Sequence, residues 1–550
     1  MLTIPALNSP PPPNQEHFAD SGGGFGRSMA MLIIGCMLAL LLMATPAVAQ
    51  SGAGSTLSPE DLATSGRLFV EALRLETEGD GAAALREYQL LIQRFPASPK
   101  VPEALLRVAR LRLQQGDPAL ALQSIEVLTQ DYGSSPESAS AYVMQGRLFA
   151  ENPDSPSDLE RARTLLRRVP VLFGRDRFPR LEDRAEALVR EGQISLLLGE
   201  LDEAASAFVQ TLEDEPPGVW VPAARLGLAR VLMARDQWVE AADALQRILL
   251  EAEAAAADDG FEVPISVLTE ASRHQQLLYR LRLRPSLGQP RWGSTRLLST
   301  PGLELRRPQG VAVSDDGLVI VTDRGEDIAL VLDAEGQMVA RRDVKDVQRP
   351  WWTSDEAYVA AEEQVRGLLQ RSGQSFLMTR GSSQEELDEL VSGARGLYGQ
   401  WYLLDRGVSA VVVMRPTGRY LATLTVGEPV DLAQGPFGHI LVLDGDQRSV
   451  TRYTAAGDAV GVVAKSSWPE ATAVDVDALG QVYVLDAETA TVEVFSSRGE
   501  RIAKLGPTLP GGLQLNKPQD LAVDGFGRLY ILDERLTTAE GRRRALVVLE

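Results

Sequence analysis

A glycine, one variable residue, four mostly apolar residues and an aspartate recur five times in the C-terminal half of the chain. The copies are Gly317 to Asp323, Gly399 to Asp405, Gly438 to Asp444, Gly480 to Asp486, and Gly527 to Asp533. A second glycine follows the aspartate by thirteen residues at Gly336, Gly418, Gly457 and Gly499. Asp355 to Ala361, with Gly373 after it, fits as a sixth, decayed copy. A period near 40 residues with several short strands per unit predicts sheets packed radially around an axis. Glycine supplies the positive φ of tight hairpins. The apolar run reads as a strand buried between neighbouring sheets, and the aspartate can accept backbone N–H bonds where that strand turns.

A proline lead-in precedes several copies, as in Pro308-Gln309-Gly310-Val311 and Pro518-Gln519-Asp520-Leu521. With it, residues 291–550 resemble the NHL-type repeat, which implies a six-bladed β-propeller. The last copy ends one strand after Asp533, and Ser294–Thr300 can supply the strand that closes the ring and removes two exposed edges. Blade two departs most from the pattern. It has Trp351-Trp352 in front and Ala361 in place of the aspartate, and the Ser382–Gly396 insertion after it reads as helical.

The segment before this has a different period. Apolar residues fall at i, i+3, i+4 and i+7, and the pattern repeats. Ala84, Ala121, Ala162, Ala204 and Ala241 are spaced 37, 41, 42 and 37 residues apart. A second small residue lies twelve positions earlier at Ala72, Ala109, Gly192 and Ala229, and a large residue follows each alanine by four. Small side chains let two helices of a hairpin approach, and the large one fills the groove against the next pair. Pro96 and Pro216 sit where a helix must end. These positions resemble the tetratricopeptide repeat, which implies an α-solenoid of five hairpins over residues 50–257, the third degenerate, with a concave face suited to a peptide or partner helix. The fold class expected is therefore multidomain: an N-terminal α-solenoid and a C-terminal six-bladed β-propeller. Val263–Arg284, in the 258–290 linker, reads as a capping helix. Pro285, Gly288, Pro290 and Gly293 behind it suggest a hinge, while the cap argues for a fixed junction.

Residues 1–49 read as a leader. Met29 to Met43 is uncharged and would rise only about 22 Å as a helix, against a hydrocarbon core of roughly 30 Å. Ala47-Val48-Ala49 follows as a small-x-small pattern, so a secretory signal with a cut before Gln50 is expected, with an uncleaved anchor as the alternative. Export to periplasm or medium fits a chain whose one cysteine, Cys36, lies inside that run.

The formal net charge of −20 disfavours nucleic acid, whose phosphates need a cationic surface. Catalytic residue types are thin. After the leader the histidines are His274, in the linker helix, and His439, at a variable repeat position read as a strand surface. Neither a P-loop nor a G-x-S-x-G elbow is present. Propellers of the kind this half resembles include lactonases and esterases with calcium in the channel, and calcium needs only oxygen ligands. Asp444/Asp446 and Asp475/Asp477 form D-x-D pairs, read as hydrogen-bonded turns. Trp351, Trp352, Trp401 and Trp468 form a binding face if they open together, or pack between blades. Arg161, Arg163, Arg167, Arg168, Arg175, Arg177, Arg180 and Arg184 are either an anionic partner's site or a solvated helix face. The expectation is an exported envelope scaffold that binds protein partners through the groove and a propeller face, with neither catalytic residues nor a bound cofactor. The alternatives are a calcium-dependent hydrolase and a glycan or cell-wall binding protein.

Overall fold

Four of the five helix hairpins in the N-terminal half turn on one residue in the left-handed region. Gly79, Gly116, Gly199 and Asp236 all have positive φ. Behind Gly116 the Asp117 N–H donates to the Arg112 carbonyl, and behind Gly199 the Glu200 N–H donates to the Ser195 carbonyl. This closes the helix end without a longer loop. The protein is described by a computed structural model over residues 57–151, 153, 155–178, 182–214, 218–257, 263–298, 305–353, 356–361, 364–369, 375–377, 379–380 and 385–550. The leader run, its cut site and Cys36 lie outside the described residues, as do Pro216, Arg180, Asp355 and Gly373.

Five hairpins follow one another: α1 (Pro59–Thr77) with α2 (Gly81–Arg94), α3 (Val101–Gln114) with α4 (Pro118–Asp131), α5 (Glu137–Glu151) with α6 (Pro156–Leu172), α7 (Asp183–Leu197) with α8 (Leu201–Asp214), and α9 (Trp220–Ala234) with α10 (Trp238–Ala257). The capping helix is α11 (Ile265–Leu278), continued by a π turn, Tyr279–Leu283. Ala84, Ala121, Ala162, Ala204 and Ala241 are fully buried, and so are the large residues Tyr88, Ile125, Leu166, Phe208 and Leu245 four positions on. Phe208 shows why small residues are needed. A methyl group added at Gly192 would come within 2.6 Å of its ring, and one at Gly227 would come closer still. The third hairpin uses Gly146 instead, where an added Cβ would stand 2.8 Å from Leu166. The longer α5–α6 connection has shifted that small residue out of the twelve-residue offset.

The C-terminal half is a ring of six four-stranded antiparallel sheets, strands a (innermost) to d. The innermost strands are Pro308–Val313, Val347–Trp352, Leu390–Arg395, Pro429–Gln434, Ala471–Val476 and Pro518–Val523, and each packs against the next all the way round. The glycines of both repeat series, Gly317 to Gly527 and Gly336 to Gly499, have positive φ. Thr295–Leu298 pairs with Gly541–Leu549, Thr295 opposite Leu549 and Leu298 opposite Leu546, as the outer strand of blade 6. The repeat aspartates do more than cap a turn. Asp323 accepts from the N–H groups of Arg306 (2.6 Å), Arg307 (2.9 Å) and Gly325 (2.8 Å). Asp405, Asp444, Asp486 and Asp533 make the same link to residues 16 or 17 positions earlier. Each ties the end of strand b to the segment that leads into strand a.

Over its described residues, 385–396, the Ser382–Gly396 insertion is not helical. Glu385–Glu386 pairs with Thr379–Arg380, and Leu390–Arg395 is strand a of blade 3, paired with Trp401–Asp405. Its acidic, helix-favouring composition is overridden by the apolar partners that Leu390, Val391 and Ala394 find in the ring.

The junction is packed rather than hinged. Ala241, Leu245, Ile248, Leu277, Leu281 and Trp292 share one core with Tyr483, Leu529 and Ile531 of blades 5 and 6. The Trp292 indole N–H donates to the Gly527 carbonyl at 3.0 Å. Phe437 of blade 4 packs against the α7–α9 core, and Leu397 and Tyr398 of blade 3 pack against the core of α5–α7. The solenoid thus sits on the face made by the a–b loops.

Replacing Gly227 with alanine is expected to force Phe208 aside and to cost about 1–3 kcal/mol, the range for overpacking a filled core. A melting curve indistinguishable from wild type would show that the ring has room to move.

A roofed channel as the candidate functional site

The third residue of each innermost strand holds an equivalent register position, from which Arg349, Ser392, Asp431 and Asp520 line the channel cavity, and here the repeat is least uniform. It is Gly310, Arg349, Ser392, Asp431, Ala473 and Asp520 in blades 1 to 6. Asp475, two positions further along blade 5, joins them. Arg349 reaches across from blade 2. Its Nη1 lies 2.8 Å from Asp431 Oδ2 and 3.8 Å from Asp520 Oδ1. Its Nη2 donates to the Thr472 carbonyl at 2.7 Å and the Gln519 carbonyl at 3.4 Å. The carboxylates also accept from neighbouring backbones: Asp431 from Val474 N–H (3.0 Å), Asp520 from Val311 N–H (2.8 Å), and Asp475 from Val523 N–H (2.7 Å) and Val476 N–H (2.8 Å).

Asp431 and Asp520 are buried and share the Arg349 guanidinium, and Asp475 stands beside them. Burial pushes Asp475 up to about 7, against the pull of its two backbone donors and with help from Asp431 and Asp520. Burial also raises Asp520, although Arg349 opposes it. For Arg349, burial is outweighed by Asp431 and Asp520, so the guanidinium stays charged.

Above this layer a cavity of about 760 Å³ opens toward the solenoid. It is lined by the later residues of the innermost strands, by the a–b loop Ser314–Asp316, and by Arg273 of α11. Arg273 pairs with Asp315 at 3.3 Å and with Asp316. A second cavity of about 470 Å³ adjoins it, between α7, α9 and α11 and the loops of blades 4 to 6. His274 lines that space. It is buried, its Nδ1 lies 3.0 Å from the Glu270 carbonyl, and burial drives it down to about 3. The imidazole is therefore neutral at physiological pH. The solenoid roofs one mouth of the channel.

The sequence-predicted residues are only partly assembled here. Asp477 is a turn residue, accepting from Leu479 N–H at 2.9 Å and Gln481 N–H at 3.0 Å, but its partner Asp475 is on a strand and faces the axis. Asp444 is a blade tie. The tryptophans do not form one open face. Trp401 and Trp468 are 2% and 3% exposed, each edge-on to a neighbouring ring, and Trp351 stacks on Tyr358. Trp351 and Trp352 alone border the channel cavity. His439, read as a strand surface, is half-buried just ahead of strand b of blade 4, and burial lowers it. The arginine-rich stretch is engaged within the solenoid. Arg163 pairs with Glu160 and Glu200, Arg167 with Glu191, and Arg184 donates to the Phe173 and Phe178 carbonyls. Arg161, Arg168 and Arg177 lie over aromatic rings. Sequence reasoning passes over Arg349 and Asp520; Asp520 is a charge in an apolar strand behind the Pro518 lead-in, a legible signal, whereas Arg349 precedes its proline.

Among the described residues no three His, Cys, Asp or Glu side chains are grouped to hold a metal ion, and no helix is long and apolar enough to cross a membrane. A tetratricopeptide-repeat profile matches residues 69–136 and 109–176, and an NHL-repeat profile matches residues 305–326. No curated protein matches the chain. Among solved structures, virginiamycin B lyase of Staphylococcus aureus is similar at 13% identity, covering 46% of this chain and 87% of that one, with a TM-score of 0.34. A calcium-binding protein, regucalcin of Agrobacterium tumefaciens, is similar at 15% identity, 46% and 93% coverage, and a TM-score of 0.36. MamA matches at 21% identity, 34% and 96% coverage, and a TM-score of 0.27.

A carboxyl raised from its ordinary range binds a proton in the folded protein that the unfolded chain has released. Stability contributed by the protonated form of Asp475 is therefore present at low pH and is lost as pH rises from about 4 through about 7. Asp475→Asn is expected to melt at a temperature that falls less between pH 5 and pH 8 than wild type does. Parallel pH profiles would show that this carboxyl does not titrate in that window.

Proposed function

We propose that this chain is an exported scaffold of the cell envelope, holding a protein partner in the solenoid groove and presenting the propeller as a second binding surface. The observation that carries this reading is the junction core, in which α9–α11 and blades 5 and 6 bury their apolar side chains together. A shared core fixes a groove and a ring of loops at a set spacing, which is what a scaffold needs and an independent tether does not provide. Tetratricopeptide and propeller repeats both serve generally as interaction modules. Helices α1–α5 build a core from their own residues, so the outer part of the solenoid does not depend on the propeller for burial. The face of the ring opposite the solenoid carries the b–c turns, including exposed Arg406.

Export is supported by the apolar run Met29 to Met43 and the Ala47-Val48-Ala49 pattern. Expressed with its own leader, the protein is expected in the periplasmic fraction with Gln50 as its first residue, read by intact mass. A full-length cytoplasmic product would remove the envelope from the proposal.

For the scaffold itself, photo-crosslinking amino acids at exposed Arg110 of α3, Arg147 of α5 and Arg406 of blade 3 are expected to trap discrete partners in living cells. The solenoid positions should yield one partner and the propeller position another. If no position gave an adduct above the background of a buried control, the scaffold reading would fail.

A further inference from the structure

Asp431, Asp475 and Asp520 all line the channel cavity, and oxygen ligands are what a calcium ion would need. Calcium takes 6–8 oxygens at about 2.3–2.6 Å. The space between Asp431 and Asp520 is held by the Arg349 guanidinium, 2.8 Å from the first and 3.8 Å from the second. Asp431 Oδ2, Asp520 Oδ2 and both oxygens of Asp475 already accept backbone N–H groups. Gly310 of blade 1 has no side chain at the equivalent place. A Cβ there would stand 2.7 Å from Pro350 Cδ and 3.0 Å from Arg349 Cα, so blade 1 makes room for the strand that carries the arginine. The residues present do not fit a calcium ion.

We propose that Arg349 is the channel's own counter-cation: it takes the place a divalent ion would need and rivets blade 2 to blades 4, 5 and 6 across the axis. The observations come from opposite sides of the ring. The guanidinium donates to carbonyls of blades 5 and 6 as well as facing the carboxylates of blades 4 and 6. A planar fork with several donors suits such a cross-ring contact, where a lysine would supply a single point charge. Blade 2 is also the blade without the repeat aspartate. There Glu356 accepts from Ala357 N–H and Leu369 N–H instead. This inference is independent of the scaffold reading, since it concerns the channel and not the groove.

Removing the guanidinium leaves Asp431 and Asp520 without the cation that lies between them, so an added cation is expected to take the vacated place. Terbium is a suitable probe, because Trp351 and Trp352 border the cavity and can sensitise its emission. Wild-type protein is expected to give no sensitised emission and an unchanged melting temperature with millimolar calcium or with chelator. Arg349→Ala is expected to melt about 10 °C lower in chelator, the scale of a broken buried ion pair. It should bind terbium, regain much of the loss with calcium, and lose both responses when Asp431→Asn is added. Arg349→Gln, which keeps most of the bulk, is expected to respond in the same way and serves if the alanine variant does not fold. Terbium emission from wild type that calcium competes away, or a folded arginine variant indifferent to both ions, would overturn the proposal. If neither variant folds, the wild-type titration alone decides it.

Discussion

The ring closes because a strand from before the first blade completes the last one. Thr295–Leu298 lies against Gly541–Leu549, and this pairing gives blade 6 its fourth strand and links the two ends of the propeller through backbone hydrogen bonds. Six sheets stacked around an axis bury their faces only if each has two neighbours. Without the pairing, blade 6 would lose its outer strand, and the joined core formed by Leu298, Leu546 and Val548 with blade 1 would open. The same strand leaves the capping helix after only a short connection. Closing the ring therefore also fixes where the solenoid can sit. Trp292 and Arg291, in that connection, donate to the carbonyls of Gly527 and Ile502 in blades 6 and 5.

From that constraint follows the channel with one roofed mouth. The solenoid covers the a–b loops, so the cavity above the Arg349 layer is bounded by two domains that share one core. The floor of the cavity buries a cluster of charge that reaches across the ring. Buried charge is costly unless matched, and breaking a matched pair is worse than never having had it. Four blades supply the match. The cost is visible in Asp475 and Asp520, whose carboxyls hold their protons far more tightly than in water.

Irregularity in the repeat marks where the ring is specialised. Blade 2 has lost its aspartate tie and instead contributes the cross-channel arginine. Blades 1, 3, 4, 5 and 6 keep the tie, from Asp323 to Asp533, and contribute glycine, serine, alanine or aspartate at the axis. A solenoid shows the same logic in Gly146, where a longer connection moved the small residue but did not remove the need for it.

Local spacing determined a great deal. The buried alanines, the positive-φ glycines, the aspartates at strand ends and the closing strand all answer to steric rules acting over a few residues, and those rules are written directly in the order of residue types. What the order did not fix was anything set by residues far apart in the chain. The stretch Ser382–Gly396 reads as a helix in isolation, yet Leu390–Arg395 within it becomes strand because the ring supplies its partners. Trp401 and Trp468 became core, Asp475 turned to the axis, and Arg349 met Asp431 and Asp520 across a channel. Those outcomes depend on which side of a closed sheet a residue faces and on what stands opposite, and only the folded ring brings the opposite side near.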